Sequence, residues 1–280
     1  MTVVDDAANG RAPKPRALIV TVYGLYAREV GGWLSVAALV RLMAELGVDE
    51  PAVRSSISRL KRRGILVAER VGGLAGYRLS DTARAILDDG DRRIFGRGRA
   101  SPGEGWLLAV FSVPESEREK RHQLRSRLAW LGFGTVSAGV WIAPAHLLAE
   151  TRDVLERDGL AGYVDLFYSQ HVGSGSAAAK VSQWWDLERL QRRYEQFLDR
   201  YAAPLRRYRR RPVGEREAFA VYVAALTEWR RLPYLDPGLA PEVLPPRWNG
   251  VRAAETFFEL QERLAAPAHQ FVESVRTAGG

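Results

Sequence analysis

The apolar residues of the N-terminal third change their spacing at Gly64, and this change limits the possible folds more than any other feature of the chain. Before Gly64 they recur at helical spacing in the segments 16–29, 36–46 and 50–63, which predicts three amphipathic helices. After Gly64 the sequence ILVAERVGGLAGYRLS holds two short β-rich runs around several glycines, which predicts a hairpin. Helices joined by a short turn and followed by a hairpin are the order of elements in a winged helix.

Capping residues mark the ends of the second and third helices. Ser35 and Asp49 each carry a side-chain oxygen that accepts a hydrogen bond from an amide of the first turn. Pro51 lies within the first turn of the third helix, where its missing N–H costs little. Gly47 and Gly64 end the two helices. The tripeptide GVD between them therefore makes these helices a candidate helix-turn-helix.

The hairpin is predicted to carry arginines close to its glycines. Its strands are expected at 65–71 and 77–79, with Gly72, Gly73 and Gly76 in the loop between them. Arg70 and Arg78 flank glycines that let the backbone approach a phosphate or enter a minor groove. A helix over 80–95 would close the domain.

The third helix has the residues expected of a DNA-reading helix. With Val53, Ile57 and Leu60 turned inward, its outer side alternates arginines with short hydroxyl side chains. Arginine can hold the O6 and N7 atoms of guanine with two hydrogen bonds, and serine can contact a phosphate or a base edge. A solvated amphipathic helix is the alternative interpretation. The predicted DNA-binding residues are Arg54, Ser55, Ser58, Arg59, Arg62, Arg70 and Arg78.

The charge of the chain agrees with a polyanionic partner without requiring one. The 41 Lys and Arg residues outnumber 33 Asp and Glu residues, for a net charge of +8. Residues 1–100 carry +6, residues 101–179 carry −2 and residues 180–280 carry +4. An anion-binding surface is therefore expected towards the two ends of the chain.

Several function classes are excluded by what the sequence lacks. The absence of cysteine removes disulfides, thiolate zinc sites, iron–sulfur clusters and cysteine nucleophiles. The four histidines have no metal-ligand spacing, and no GxSxG, P-loop or HExxH motif occurs. We therefore predict no catalytic residue, no metal and no cofactor. No apolar run reaches the length of about 18 residues that a membrane span needs, so we expect a cytoplasmic protein.

The rest of the chain predicts two further regions. The segment from WLLAVFSVP to YVDLFYSQ has the order βαββαβ, which suits a ferredoxin-like domain. Beyond it, apolar and aromatic residues return to helical spacing, interrupted by the proline-rich stretch LPYLDPGLAPEVLPPRWNG. The predicted fold class is α+β, with an N-terminal winged helix-turn-helix, a ferredoxin-like middle domain and a helical C-terminal domain.

Domain boundaries follow from these patterns. We expect a flexible arm at 1–15, a winged helix at 16–98, a ferredoxin-like domain at 104–172, a connector at 173–183 and a helical domain at 184–280. GRGRASPGEG, between the first two domains, is typical of a flexible linker. The connector contains GSGSAA, which formally matches a dinucleotide-binding fingerprint. We reject that match because a long helix follows it, where a Rossmann unit needs a parallel strand.

A second group of arginines lies in the sequence RRYRRRP. These arginines could bind phosphates of DNA or of an anionic effector, or they could be a solvated charge run. The nearby Trp184, Trp185, Tyr194 and Tyr208 could offer stacking surfaces, or could pack in a core or a dimer interface. The candidate effector-binding residues are Arg206, Arg207, Arg209 and Arg210.

Nearly the whole chain resembles the PaaX-type repressors of phenylacetic acid catabolism. LIVTVYGLY, AVRSSISRLKRRGIL and VGGLAGYRLSDTAR resemble the family's winged helix, and EWRRLPYLDPGLAPEVLPPRWNG resembles its C-terminal DP-L-P-LLP-W-G signature. The signature positions that match are Asp236, Pro237, Leu239, Pro241, Leu244, Pro245, Trp248 and Gly250. Val243 and Asn249 replace the usual Leu and Pro.

The resemblance implies a transcriptional repressor that is not an enzyme. It implies a homodimer, supported by the C-terminal helices, that occupies a palindromic operator in double-stranded DNA and is released by an acyl-CoA effector such as phenylacetyl-CoA. One alternative is a metal-dependent nuclease, because the middle domain is similar to a small CRISPR-associated nuclease subunit. That nuclease keeps an Asp at the end of its first strand, where FSVPES has none. A second alternative is an adaptor whose winged helix binds protein.

Overall fold

The computed structural model describes residues 13–28, 31–96, 98–172 and 177–277. The chain divides into two compact units. The first unit comprises Met1–Arg92, Glu195–Arg231 and Val251–Gly280, and the second comprises Arg93–Tyr194 and Leu232–Gly250. Every helix of the described residues is too short or too polar to span a bilayer.

The first unit contains the predicted winged helix. Its elements are α1 (Pro15–Val22) with a π-helical turn (Tyr23–Ala27), β1 (Trp33–Ser35), α2 (Val36–Glu45), α3 (Glu50–Arg62), β2 (Leu66–Val71), β3 (Leu74–Leu79) and most of α4 (Asp81–Gly96). Ser35 Oγ accepts from the amide of Ala38 at 3.1 Å, and Asp49 Oδ1 accepts from the amide of Ala52 at 2.7 Å. Both predicted caps are therefore confirmed.

The wing sheet has a third strand that the sequence pattern did not reveal. Its order is β1-β3-β2, all antiparallel. The prediction that Gly76 lies in the hairpin loop is wrong, since Gly76 pairs within β3. A Cβ atom there would lie 2.5 Å from the ring of Trp33, so a glycine is needed for β1 to approach. The turn is only Gly72–Gly73, with φ of 57° and 82°, as a type I′ turn requires.

Helices from the C-terminal part of the chain complete the core of the first unit. They are the later part of α8 (Leu187–Tyr208), α9 (Glu215–Trp229) and most of α11 (Asn249–Thr277). On α9, the hydroxyl of Thr227 lies 2.8 Å from that of Thr21 on α1, and the Phe219 ring packs 5.9 Å from Tyr26. Tyr23 in turn donates a hydrogen bond to the carbonyl of Tyr77 in β3 at 3.0 Å. Helix α1 thus contacts both the C-terminal helices and the hairpin.

The second unit contains the predicted βαββαβ order. It is formed by β4 (Trp106–Phe111), α5 (Arg118–Leu131), β5 (Gly134–Ser137), β6 (Val140–Pro144), α6 (Leu148–Arg157) and β7 (Val164–Ser169), and also holds α7 (Ala177–Trp184) and α10 (Leu232–Leu235). The antiparallel sheet has the order β5-β6-β4-β7, which confirms the ferredoxin-like topology. Leu107, Ala109 and Phe111 alternate along β4 and pack in the core with Leu124 and Leu128 of α5.

Candidate DNA-binding surface

The outer side of α3 presents five of the predicted DNA-binding residues to solvent. Val53, Ile57 and Leu60 are at most 5% exposed on the opposite side and hold the helix against the core. Ser56, which the sequence pattern did not assign, also faces inward at 1% exposure. We call the exposed set the recognition surface, and it consists of Arg54, Ser55, Ser58, Arg59 and Arg62. One helix face therefore brings together guanidinium groups and hydroxyls.

Arg54 is held by a carboxylate one helical turn away. Its Nε and Nη2 atoms lie 2.7 and 2.6 Å from Oε1 of Glu50. Both side chains remain more than half exposed, so the pair sits at the surface at the start of α3. Glu50 is a functional candidate that the sequence analysis missed, although its i, i+4 spacing from Arg54 is readable in the sequence.

The structure separates the two hairpin arginines. Arg70 is exposed and pairs across the hairpin with Ala75, whereas Arg78 pairs with Val67 on the other face. Arg78 is half-buried and contacts Glu69 at 3.5 Å and Asp81 at 3.7 Å. Of the two, Arg70 is the one presented to solvent on an otherwise exposed strand.

A concave surface connects α3 with the hairpin. It encloses a volume of about 490 Å³ and is lined by the start of α2, by Glu50 and Arg54 of α3, and by Leu74 and Ala75 of β3. Arg41 lies on its α2 side. Basic side chains from two helices therefore border the space between the recognition surface and the wing.

The candidate effector-binding arginines lie at the end of α8, and we call them, with Arg211, the α8 arginine cluster. Arg206, Arg207 and Arg210 are exposed. Arg209 contacts both carboxylate oxygens of Glu259 on α11, with Nε 2.7 Å from Oε1. This hydrogen bond lowers the pKa of Glu259 to about 2. Arg211 lies 3.2 Å from Glu217, so two of the five arginines connect the protein's own helices.

The aromatic residues near this cluster belong to cores. Tyr194 and Tyr208 are at most 4% exposed, and burial raises the pKa of Tyr208 to about 12. The rings of Trp184 and Trp185 pack 5.6 and 6.1 Å from that of Trp106 in the second unit. Of the two interpretations of these residues, the structure favours packing.

The C-terminal signature forms a buried polar centre in the second unit. Asp236, 5% exposed, accepts hydrogen bonds from the hydroxyl of Tyr194 at 2.7 Å, from Nη2 of Arg99 at 3.0 Å and from the amide of Gly238 at 2.8 Å. The amide of Ala100 donates to the carbonyl of Gly238 at 2.8 Å. The stretch expected to be a flexible linker is thus anchored at residues 99–100. The buried Asp236 carboxylate therefore has hydrogen-bond donors at both of its oxygens.

The end of β4, where the nuclease alternative would place its chemistry, carries Phe111. Glu115 beyond it pairs with Arg121 at 2.9 Å, and Glu117 accepts a hydrogen bond from Tyr163 at 2.8 Å. Within the described ranges, no group of three or more His, Asp or Glu side chains is placed to hold a metal ion.

Two sequence predictions lie outside the described residues, namely the arm up to residue 12 and residues 173–176 of GSGSAA.

Comparison with known proteins covers almost the entire chain. Three family models match, described as PaaX-like protein (residues 14–83), PaaX protein central Cas2-like domain (99–181) and PaaX-like protein C-terminal domain (185–274). The chain is 26% identical over 276 residues to the transcriptional repressor PaaX of Escherichia coli K12, covering 97% of this chain and 87% of that protein. It also resembles the solved structure of the uncharacterized protein Rv0674 from Mycobacterium tuberculosis. That structure has a TM-score of 0.59 and 25% identity, and the match covers 89% of this chain and 99% of the other. Consecutive matches to all three parts of one family, together with the winged helix and the ferredoxin-like sheet, place this chain in the PaaX family of transcriptional repressors.

Proposed function

We propose that this protein is a cytoplasmic transcriptional repressor that binds a palindromic operator in double-stranded DNA as a homodimer. The recognition surface enters the major groove, and the hairpin approaches the neighbouring backbone or minor groove through Arg70. The observation that carries the proposal is the exposure of five polar side chains on α3 while the apolar side of the same helix is buried. The Escherichia coli relative, named as a transcriptional repressor, supports the same function. The activity is binding, without a catalysed reaction.

The arginines of the recognition surface can contact DNA in two ways, through base edges or through phosphates. Arginines that face base edges select sequence, because guanine offers two acceptors in the major groove. Arginines that face phosphates set position and contribute affinity to every duplex. In a homodimer the two α3 helices would lie about 34–36 Å apart, one turn of DNA, so that each reads one half of the palindrome.

An acyl-CoA thioester such as phenylacetyl-CoA is the proposed effector, with Arg206, Arg207 and Arg210 as candidate contacts for its phosphates. Arg209 is less suited, since Glu259 already occupies its guanidinium. The effector would release DNA by binding more tightly to a dimer geometry in which the two α3 helices no longer fit the operator. A ligand with equal affinity for both geometries would release nothing.

The proposal is tested by selecting the preferred sequence from a randomised duplex library and measuring affinity by fluorescence anisotropy. We expect Arg59→Ala to weaken binding to the selected operator by about 1–3 kcal/mol if Arg59 reads guanine. If it holds a phosphate, all duplexes should weaken together, and the log–log salt slope should change by about 0.9. A wild-type protein that binds no duplex, or binds with a salt slope near zero, would contradict the proposal and favour the adaptor.

Dimerisation and effector release are tested separately. Sedimentation should show a dimer, and the selected operator should contain two inverted half-sites. Adding phenylacetyl-CoA or other CoA thioesters should raise the operator Kd, while free CoA serves as the control. A monomeric protein, a single asymmetric site or a Kd unchanged by every thioester would each remove the corresponding part of the proposal.

A further inference from the structure

The first turn of α3 carries a carboxylate on the surface that is proposed to face a polyanion. Glu50 borders the concave space between α3 and the hairpin, together with Arg54 and Arg41. A carboxylate that approaches phosphates lowers affinity for every duplex by charge repulsion. Glu50 therefore cannot serve to attract DNA of any sequence, and a role in selecting particular bases is the function left for it on this surface.

The contacts within the pair leave both groups able to bind a base. Nε and Nη2 of Arg54 approach the single atom Oε1 of Glu50, at 2.7 and 2.6 Å. A guanidinium has five N–H donors in a rigid plane, so its Nη1 and Nη2 end can still present two donors to one acceptor pair. The second carboxylate oxygen, Oε2, is an acceptor on the same surface. The geometry thus supplies two donors and one acceptor side by side.

These groups match the major-groove edge of a G·C pair. Guanine offers O6 and N7 as acceptors, and cytosine offers its N4 amino group as a donor. Thymine has only an acceptor and a methyl group at that edge, so a carboxylate disfavours it. In helix-turn-helix proteins the N-terminal residues of the recognition helix contact base edges, and Glu50 and Arg54 lie in that part of α3.

We propose that Glu50 is a specificity-determining residue: its carboxylate orients Arg54 towards guanine and accepts a hydrogen bond from a cytosine amino group. The inference rests on the proposed DNA-binding function and adds the base class that is read at this position. Arg54 then selects guanine because Glu50 fixes the plane of its guanidinium. Glu50 contributes little to affinity for random DNA and much to discrimination.

The test compares sequence selection by the full-length wild type with that of Glu50→Gln. Glutamine keeps the size of the side chain and removes the charge, so it can donate as well as accept a hydrogen bond. The matched control is Glu188→Gln, because Glu188 forms an exposed i, i+4 pair with Arg192 on α8, at 3.6 Å. Circular dichroism melting checks that all variants are folded.

We expect wild type and Glu188→Gln to prefer the same G·C pair, by about 5- to 150-fold in Kd over the other base pairs. Glu50→Gln should lose most of this preference while binding random duplexes at least as tightly as wild type. In an Arg54→Ala background, Glu50→Gln should cause a smaller further loss, since the guanidinium that Glu50 orients is gone and only its contact with the cytosine amino group remains to be removed.

Two outcomes overturn the inference. If Glu50→Gln tightens binding to all duplexes by one common factor and leaves base preferences intact, Glu50 is a surface ion-pair partner only. If Glu188→Gln relaxes selection equally, the effect comes from net charge. A wild-type protein that selects no sequence would instead defeat the proposed function itself, and this inference with it.

Discussion

The recognition surface on α3 and the α8 arginine cluster look alike in sequence but differ in their partners. Both are groups of arginines in the first unit, one on the outer side of α3 and the other at and just beyond the C-terminal end of α8. On α3 the ion pair of Arg54 is local, since its partner Glu50 lies one turn away on the same helix. In the α8 arginine cluster, Arg209 bonds to Glu259, which is 50 residues away on another helix.

This difference shows that a basic run is not evidence of a ligand site until its carboxylate partners are known. A guanidinium that is bonded to a carboxylate of another helix already uses its donors to stabilise the fold. A solvent-exposed guanidinium can instead exchange its bound water for a phosphate or a base. We therefore expect substitutions in the recognition surface to change DNA binding and leave stability almost unchanged. In the α8 arginine cluster, substitution of Arg209 should do the reverse.

The largest expected effect comes from the inner side of α3, which is 3% exposed at Ile57. Ile57→Ala should lower the free energy of unfolding by about 2–5 kcal/mol, because it removes buried methyl groups and leaves a cavity. Its neighbour Ser58 is exposed, so Ser58→Ala should change stability by less than about 0.5 kcal/mol. Urea unfolding followed by circular dichroism measures both. Equal losses of unfolding free energy in the two variants would mean that α3 does not pack through Ile57.

The next largest effect is on DNA affinity, which should depend on the arginines of the recognition surface and not on Arg209 of the α8 arginine cluster. Arg62→Ala should weaken operator binding by about 1–3 kcal/mol if Arg62 reads a base, and should lower the salt slope by about 0.9 if it contacts a phosphate. Arg209→Ala removes the same charge from the chain and should leave both quantities close to wild type. Anisotropy titrations at several salt concentrations measure them. If Arg209→Ala weakened operator binding more than Arg62→Ala, the α8 arginine cluster, and not the recognition surface, would be the DNA-binding group.

The sequence predicted the parts of the molecule that depend on neighbours along the chain. The caps Ser35 and Asp49, the inward residues of α3 and the βαββαβ order were all readable, because helix and strand periodicity is a local property. Strand β1 was missed because three residues carry no periodic signal, and it forms only by pairing with β3. The close approach of Trp33 to Gly76 depends on that same pairing.

Long-range contacts account for the rest of what sequence reasoning missed. The ion pairs of Arg78 with Glu69 and of Arg209 with Glu259 require partners that the fold brings close, so the sequence does not reveal them. The packing of α9 on α1 through Thr227 joins residues more than 200 positions apart, which no spacing rule detects. Glu50 is different, since its i, i+4 relation to Arg54 is visible in the sequence itself.

The smallest expected effect is the pH dependence of the stabilisation that the Arg209–Glu259 pair contributes to the protein. Hydrogen bonding to Arg209, with a further contribution from Arg263, lowers the pKa of Glu259 from 4.5 to about 2. Above pH 4.5 the carboxylate is ionised in both folded and unfolded chains, so the pair contributes its full stabilisation. Between pH 4.5 and about 2 the unfolded chain binds a proton that the folded chain does not, and the contribution falls with pH until it is lost.

The urea midpoints of wild type and Arg209→Ala should therefore differ most near neutral pH and converge as the pH falls towards about 2. The difference should stay well below that of Ile57→Ala, since partly exposed ion pairs are screened by solvent and contribute little. Arg207→Ala, an exposed member of the same cluster, is the control and should show no convergence of this kind. If the difference between Arg209→Ala and wild type is independent of pH, Glu259 does not hold Arg209 in solution. Arg209 would then be as available to an anionic effector as Arg206, and the contrast between the two arginine groups would disappear.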